Sequence, residues 1–270
     1  MNIKKKEQSA LFISYDGLQD PLGESQILPY LKIISKSVSY LHVLTFEKNI
    51  SNKKYLRLPN NIGWTQLSFS KGGFFFKIKD FICMFFVLAK LMYKFKFNIL
   101  HARSYPPMHT AYLLSKFFDF KLIFDMRGFW IDDRVDSLIW SQKKFYYRLL
   151  YKYYKSLEKK FLERADKIVV LTNRAIPQII NISQKLDREK IIIIPCCADY
   201  NHFKPLSLIR KRTLETSLNI PIKSKVICYL GSLGTVYLFT EQIKLFHELL
   251  KNNKKDDYVF LLITKNWIED

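Results

Sequence analysis

Short apolar runs alternate with longer helical stretches along most of this chain, and that alternation restricts the fold more than any other feature. Residues 10–15, 40–46, 62–69, 98–102, 121–126, 167–172 and 191–194 read as strands. Helical patterns over residues 25–37, 76–94 and 106–118, and a long one ending at Arg164, separate them. Strands joined by helices pair in parallel through right-handed crossovers, and the helices then cover both faces of the sheet. Continuous apolar runs such as Ile191-Ile192-Ile193-Ile194 are expected in strands buried on both sides. The fold class is therefore α/β with a mainly parallel, Rossmann-like sheet.

In such sheets, ligands bind in the loops beyond the carboxyl ends of the strands. The first of these loops is Asp16-Gly17-Leu18-Gln19-Asp20-Pro21-Leu22-Gly23-Glu24-Ser25-Gln26. Gly23 lacks a Cβ and permits close approach of backbone to a ligand. Ser25 is placed as the N-cap of the following helix, where unpaired N–H groups attract anions. The loop reads either as a pocket edge for an anionic ligand or as an ordinary Pro/Gly surface turn. It carries neither G-x-G-x-x-G nor G-x-x-x-x-G-K-[ST], which argues against nicotinamide and P-loop sites.

The 270 residues suffice for two domains, and 49% hydrophobic residues with 16% aromatics exclude a disordered chain. Lys and Arg number 44 against 24 acidic residues, a formal charge of +20. That charge fits nucleic acid, an anionic membrane or anionic substrates, and equally a generally lysine-rich composition. With no nucleic-acid motif among the strand–helix punctuation, nucleic acid is not expected as a partner. Cys83, Cys196, Cys197 and Cys228 form no C-x-x-C and no zinc spacing, so reduced thiols and no metal are expected. No secretory signal is visible at the polar start, which points to a cytoplasmic protein. Residues 81–93 are apolar but too short to span a bilayer, and are expected to be a largely buried helix.

The stretch 138–164 reads as one long helix. Phe145, Leu149, Tyr153, Leu157 and Phe161 recur every fourth residue, beside a second stripe of Lys144, Arg148, Lys152, Lys155 and Lys159. Such a helix either packs its aromatic stripe into a core with a solvated basic back, or lies on an anionic lipid surface. After a turn-like piece near residue 200 and a polar helix over 206–218, one new strand–helix–strand unit opens at Val226. The expected domains are 8–200 and 201–270. A single unit of that kind cannot bury both faces of its strands, so the second domain reads as incomplete.

Six segments together resemble family 4 glycosyltransferases of the GT-B fold. They are residues 16–31, His101-Ala102-Arg103-Ser104-Tyr105, Phe124-Asp125-Met126-Arg127-Gly128-Phe129-Trp130, residues 158–166, Ile194-Pro195-Cys196-Cys197-Ala198-Asp199, and Tyr229-Leu230-Gly231-Ser232-Leu233-Gly234. The resemblance implies two Rossmann-like domains facing a cleft, the first on the acceptor side and the second holding a nucleoside-diphosphate sugar. It implies sugar transfer, usually retaining, with no cofactor and no essential metal, often onto glycan or lipid-linked acceptors at the inner membrane face.

Carried over position by position, Gly23 matches a glycine loop that approaches the donor phosphates, with Gln26 beside it. Asp125, Arg127 and Gly128 follow the strand where many members place a histidine, which is absent here. Arg127 is assigned to developing phosphate charge or to an anionic acceptor, the alternative being a structural pair with Asp132, Asp133 or Asp136. Asp125 is assigned to orienting Arg127 or accepting an acceptor proton. Arg103 and Ser104 are expected to rim the same cleft, while His101 is expected to be a satisfied core residue. Gly231 and Ser232 match the start of the donor side, with Ser232 where many members carry arginine. The family's two glutamates separated by seven residues are not matched, since Glu241 and Glu248 are separated by six. These departures imply a shortened donor half and negligible transfer by these residues alone. The expected role is cell-envelope polysaccharide synthesis as a peripheral protein on the cytoplasmic membrane face through 138–164. The alternative is a non-enzymatic membrane- or glycan-binding module of the same fold.

Overall fold

The computed structural model describes residues 8–48, 56–72, 74–201, 203–233, 237–252 and 257–264. The chain divides into two compact units, Met1–Cys197 and Ala198–Asp270.

The first unit holds a seven-stranded sheet. Its strands are β1 (Ser9–Ser14), β2 (Tyr40–Glu47), β3 (Ile62–Ser68), β4 (Ile99–Arg103), β5 (Lys121–Asp125), β6 (Lys167–Val170) and β7 (Ile191–Ile193). The order is β3-β2-β1-β4-β5-β6-β7, and every pairing is parallel. The chain moves outward from β1 to β3, then returns to lay β4 against the other side of β1. The carboxyl ends of β1 and β4 therefore flank a topological switch point, the usual ligand position in open α/β sheets.

Side chains alternate across the central strands, so each face has its own core. Ala10, Phe12, Leu41 and Val43 pack on one face with Ile27 and Leu31 of the first helices. Leu11, Ile13, Leu100, Leu122 and Phe124 pack on the other with Met84, Met108 and Phe161. Fully burying such a side chain contributes roughly 1.5–3 kcal/mol, which makes these central strands the most firmly held part of the unit.

The expected helix over 25–37 is instead two short ones, α1 (Pro21–Gln26) and α2 (Leu28–Ile34), followed by a 3-10 turn. Pro29 has no N–H to continue the ladder, so the helix breaks just before it. Next come α3 (Phe74–Phe95), α4 (Tyr105–Leu114), α5 (Trp130–Asp136) and α6 (Phe145–Arg164). α6 begins later than expected, because Leu138 adopts φ 59° and residues between the two helices turn. Helix α7 (Ala175–Ile182) precedes β7.

Three further expectations are corrected. β7 is not covered on both sides: it is the edge strand, and Ile192 and Ile193 are exposed. α3 is not largely buried: Asp80, Met84, Leu88, Leu91 and Met92 face the core, while Ile78, Ile82, Phe86 and Tyr93 face outward. Lys155 does not belong to a solvated stripe. Its ammonium lies 2.6 Å from Oε2 of the fully buried Glu158 and 3.1 Å from Asp132. Tyr105 donates to Glu158 Oε1, and Tyr151 donates to Asp132 at 2.9 Å. A buried carboxylate demands such partners, and here the partners tie α4, α5 and α6 together.

The second unit contains α8 (Leu208–Ser217), β8 (Lys225–Leu230), α9 (Phe239–Asn252) and β9 (Tyr258–Ile263). β8 and β9 pair in parallel, and Phe246 of α9 stacks near Phe260 at 5.2 Å. No described residue of β8, α9 or β9 is buried, since one helix covers only one face of two strands.

Candidate functional site

The loop after β1 is shaped by a residue that sequence reasoning missed. Glu47, at the end of β2, is buried, and its carboxylate accepts the N–H of Leu18 at 2.8 Å and of Gln19 at 3.2 Å. It also accepts the Thr45 hydroxyl at 2.6 Å. Beside it, Lys48 pairs with Asp20 at 2.7 Å. A Cβ on Gly23 would sit 1.9 Å from the Gly17 carbonyl oxygen, so the space left by this glycine is filled by the chain's own backbone. Gly23 thus lets α1 pack down onto the loop. Nor is Ser25 an N-cap: it lies inside α1 and donates its hydroxyl to the Pro21 carbonyl at 2.7 Å. α1 starts at a proline, which has no N–H, and the Glu24 N–H is already bonded to Asp20. The helix start expected at Ser25 therefore lies at Pro21.

Arg103 ends β4 and Asp125 ends β5, and the two are register partners across the sheet. Both are buried, with Nη1 of Arg103 3.4 Å from Oδ2 of Asp125. Asp125 therefore orients Arg103, not Arg127. His101, a pleat earlier on β4, stacks near Phe12 at 4.8 Å and points Nε2 at the same carboxylate oxygen from 3.7 Å. It is not a satisfied core histidine, because that nitrogen is buried without a hydrogen-bond partner among the described residues, as is Oδ1 of Asp125.

Ser104 follows with φ 70° and ψ 178°, a conformation nearly reserved for glycine. Its N–H donates to the Asp125 carbonyl at 2.8 Å, which holds the strand end in place. After β5, Arg127 has φ 58° and Gly128 has φ 126°. This double left-handed turn aims the Arg127 side chain back across the sheet. Its Nη2 donates to Gln26 Oε1 at 2.8 Å and to Cys196 Sγ at 3.3 Å. The alternative pairing with Asp132 is not formed, since Asp132 is bonded to Tyr151 and Lys155.

Asp16, at the end of β1, completes the group. Burial raises its carboxyl above the usual range against the pull of Arg103, Lys48 and Arg127. Burial and the neighbouring Arg127 lower the Arg103 guanidinium, with Asp125 and Asp16 opposing. Arg134 of α5, seated 5.0 Å from the Trp130 ring centre, also feels Asp16. Beside Gly128 opens a cavity of about 280 Å³, bordered also by Met126, Phe129, Thr172, Arg174 and Gln178.

The structure thus gathers Gln26, Arg103, Ser104, Asp125, Arg127 and Gly128 at one sheet end, and adds Asp16 and Arg134. Both additions carried a readable signal: one closes the first strand and the other follows the Arg127 loop. Gly231 and Ser232 belong to the second unit, at the end of β8. There Tyr229 donates its hydroxyl to the Ser232 carbonyl at 2.7 Å, and a Cβ on Gly231 would crowd that hydroxyl at 2.9 Å. The three arginines and two carboxylates gathered at this sheet end can hold a phosphorylated or carboxylated group through charge-assisted hydrogen bonds, with a carboxylate in reach of a proton.

The sequence description of Glycosyltransferase Family 4 matches residues 43–202, more than half of the chain. The chain belongs to glycosyltransferase family 4. Its fold is similar to sucrose-phosphate synthase from Thermosynechococcus elongatus, at TM-score 0.61 and 13% identity over 95% of this chain and 70% of that one. It is similar to Anabaena HepE, solved with UDP and glucose, at TM-score 0.54 and 11% identity over 95% and 69%. WaaG, a glycosyltransferase involved in lipopolysaccharide biosynthesis, aligns at TM-score 0.57 and 13% identity over 94% of this chain and 62% of WaaG. Among curated proteins no sequence is significantly similar. The family's matched region takes in β4 and β5 and the site residues that follow them.

Proposed function

We propose that this family 4 chain serves the transfer of a sugar from a nucleoside-diphosphate sugar to a glycan or lipid-linked acceptor in cell-envelope polysaccharide synthesis. The observation that carries the reading is the set Asp16, Arg103, Asp125 and Arg127 at the ends of three adjacent strands, beside Gln26. On this reading Arg127 and Arg103 hold an anionic group of the acceptor, and Asp16 takes the proton of its attacking hydroxyl. A base at this point suits a carboxyl raised by burial, because its proton affinity is closer to that of the reacting group. The donor is a substrate, and no resident cofactor or metal is assigned. The likeness to HepE, solved with UDP-glucose, and to WaaG supports a nucleotide sugar and an envelope glycan.

The second unit is assigned to the donor side, through Gly231 and Ser232. Residues 198–270 do not match the family's arginine or its pair of glutamates, so negligible transfer is expected from these 270 residues alone. On the same reading, the lysines and arginines of helix α6 would serve attachment to the anionic inner face of the plasma membrane.

The test is a thermal-shift titration of the purified chain with detergent-solubilised bacterial membrane glycolipid, alongside an assay of nucleoside-diphosphate release from UDP- and GDP-sugars. A raised melting midpoint with glycolipid, and no release by the chain alone, is expected. No shift with any glycolipid extract overturns the acceptor assignment, and release by the chain alone overturns the expectation of negligible transfer.

A further inference from the structure

Helix α3 has a face that the fold does not use. At about 3.6 residues per turn, Ile78, Ile82, Phe86 and Tyr93 fall on one line, opposite the buried line of Asp80, Met84, Leu88 and Leu91. Phe86 is 66% exposed and Tyr93 80% exposed. Along one edge of this apolar line stand Lys79, Lys90 and Lys94, all exposed. The helix contains one carboxylate, Asp80, and it is buried against the Tyr15 hydroxyl. At the far end, Tyr93 and the exposed Phe117 border a hollow of about 340 Å³, with Asp119 at its rim.

α3 does not stand alone. The ring of His109, on α4, lies 4.7 Å from Phe81 of α3 and 5.8 Å from Tyr153 of α6. The three helices thus form one layer on one face of the sheet. The outward side of α6 carries Phe145, Leu149 and Tyr153 among Arg148 and Lys152, all exposed. Two helices of one layer therefore present large apolar side chains within lysine and arginine rims.

We propose that this layer is a membrane-docking face, with the α3 line Ile78, Ile82, Phe86 and Tyr93 inserted among the headgroups of an anionic bilayer. The chemistry selects this occupant. Apolar side chains enter the acyl boundary while the flanking lysines remain at the level of lipid phosphates. A second copy of the chain would set one lysine rim against another, and nucleic acid would leave the apolar line without an apolar partner. Among the described residues no helix is long and apolar enough to cross a membrane, so α3 lies on the surface. This deepens the peripheral-membrane part of the proposed function and does not depend on the transferase part.

The test is co-sedimentation of the full chain with vesicles of phosphatidylcholine plus phosphatidylglycerol, against phosphatidylcholine alone, at physiological salt. The wild type is expected to sediment with the anionic vesicles and not with the neutral ones. The double variant Ile82→Ser, Phe86→Ser changes exposed residues only, so folding is retained, as circular dichroism will show. Its partition is expected to fall about tenfold, which is a modest share of what two inserted side chains contribute. A Phe86→Trp variant reports insertion as a blue-shifted emission, taken as a difference from the wild type. An unchanged partition of the double variant, no sedimentation of the wild type, or a dimer that the double variant dissolves overturns the proposal. Because the double variant leaves Asp16, Arg103 and Arg127 intact, its glycolipid shift in detergent is expected to match the wild type. Failure of docking is thereby separated from failure of acceptor binding.

Discussion

Arg127 donates a 2.8 Å hydrogen bond to Gln26, 101 residues earlier in the chain. The bond joins the loop after β5 to the first helix, and it fixes a guanidinium over the switch point between β1 and β4. A hydrogen bond to a charged group contributes about 1.5–3 kcal/mol, so Arg127→Ala is expected to weaken glycolipid binding by about tenfold to a hundredfold. The same substitution removes the bond to Gln26, so the melting midpoint without ligand should also fall, by less than loss of a fully buried bond would cause because the side chain is only half-buried. Equal binding by the variant in the same thermal-shift titration would remove Arg127 from the site.

Ser104 holds a backbone conformation that costs a residue with a Cβ about 1–3 kcal/mol. Ser104→Gly relieves that strain while giving back part of it as unfolded-chain entropy, so a net gain of about 1 kcal/mol is expected. Ser104→Ala retains the strain and should gain nothing. Urea unfolding midpoints for the two variants distinguish them.

Gly23 behaves in the opposite way. A methyl at this position meets the Gly17 carbonyl oxygen at 1.9 Å, and backbone must move to admit it. Gly23→Ala is expected to destabilise by about 1–3 kcal/mol, as overpacking does. Unfolding with stability equal to the wild type would mean the loop relaxes at no cost.

Burial pushes His109 down to about 4, within a shell formed by Phe81, Tyr153, Tyr154 and Phe161. In the unfolded chain the same imidazole titrates near about 6.5. Between those values the unfolded state binds more protons, so stability rises with pH and is lost on acidification from about 6.5 to 4. The shift corresponds to a few kcal/mol, on the order of 3. His42, also pushed to about 4 by burial and by Lys94, adds a loss of the same sign. His109→Leu is expected to flatten the dependence without abolishing it, measured by urea unfolding between pH 7 and 4.

Several residues of the candidate site are legible in the sequence. Arg103, Ser104, Asp125 and Arg127 follow apolar runs, and the ends of parallel strands gather by construction. Their partners were not legible. Asp125 pairs with Arg103 because β4 and β5 align those two positions, and register is a property of the folded sheet. Glu47 was invisible as the clamp of the first loop, since nothing local marks a carboxylate at a strand end as buried. The freedom of Gly23 is legible, but the Gly17 carbonyl packed against it is not, because a sequence does not say what fills the space a glycine leaves.

Period and punctuation in the chain were enough to determine an α/β architecture, the strands and a family resemblance, because these depend on spacing between neighbours. Only the tertiary structure decided which faces stay exposed. α3 is apolar nearly all round, so its pattern does not tell the covered side from the open one. The packing of Met84 and Leu88 against the sheet turns Ile82 and Phe86 toward solvent. The same packing pairs the buried Glu158 with Lys155, a choice made by desolvation and distance that no local pattern encodes.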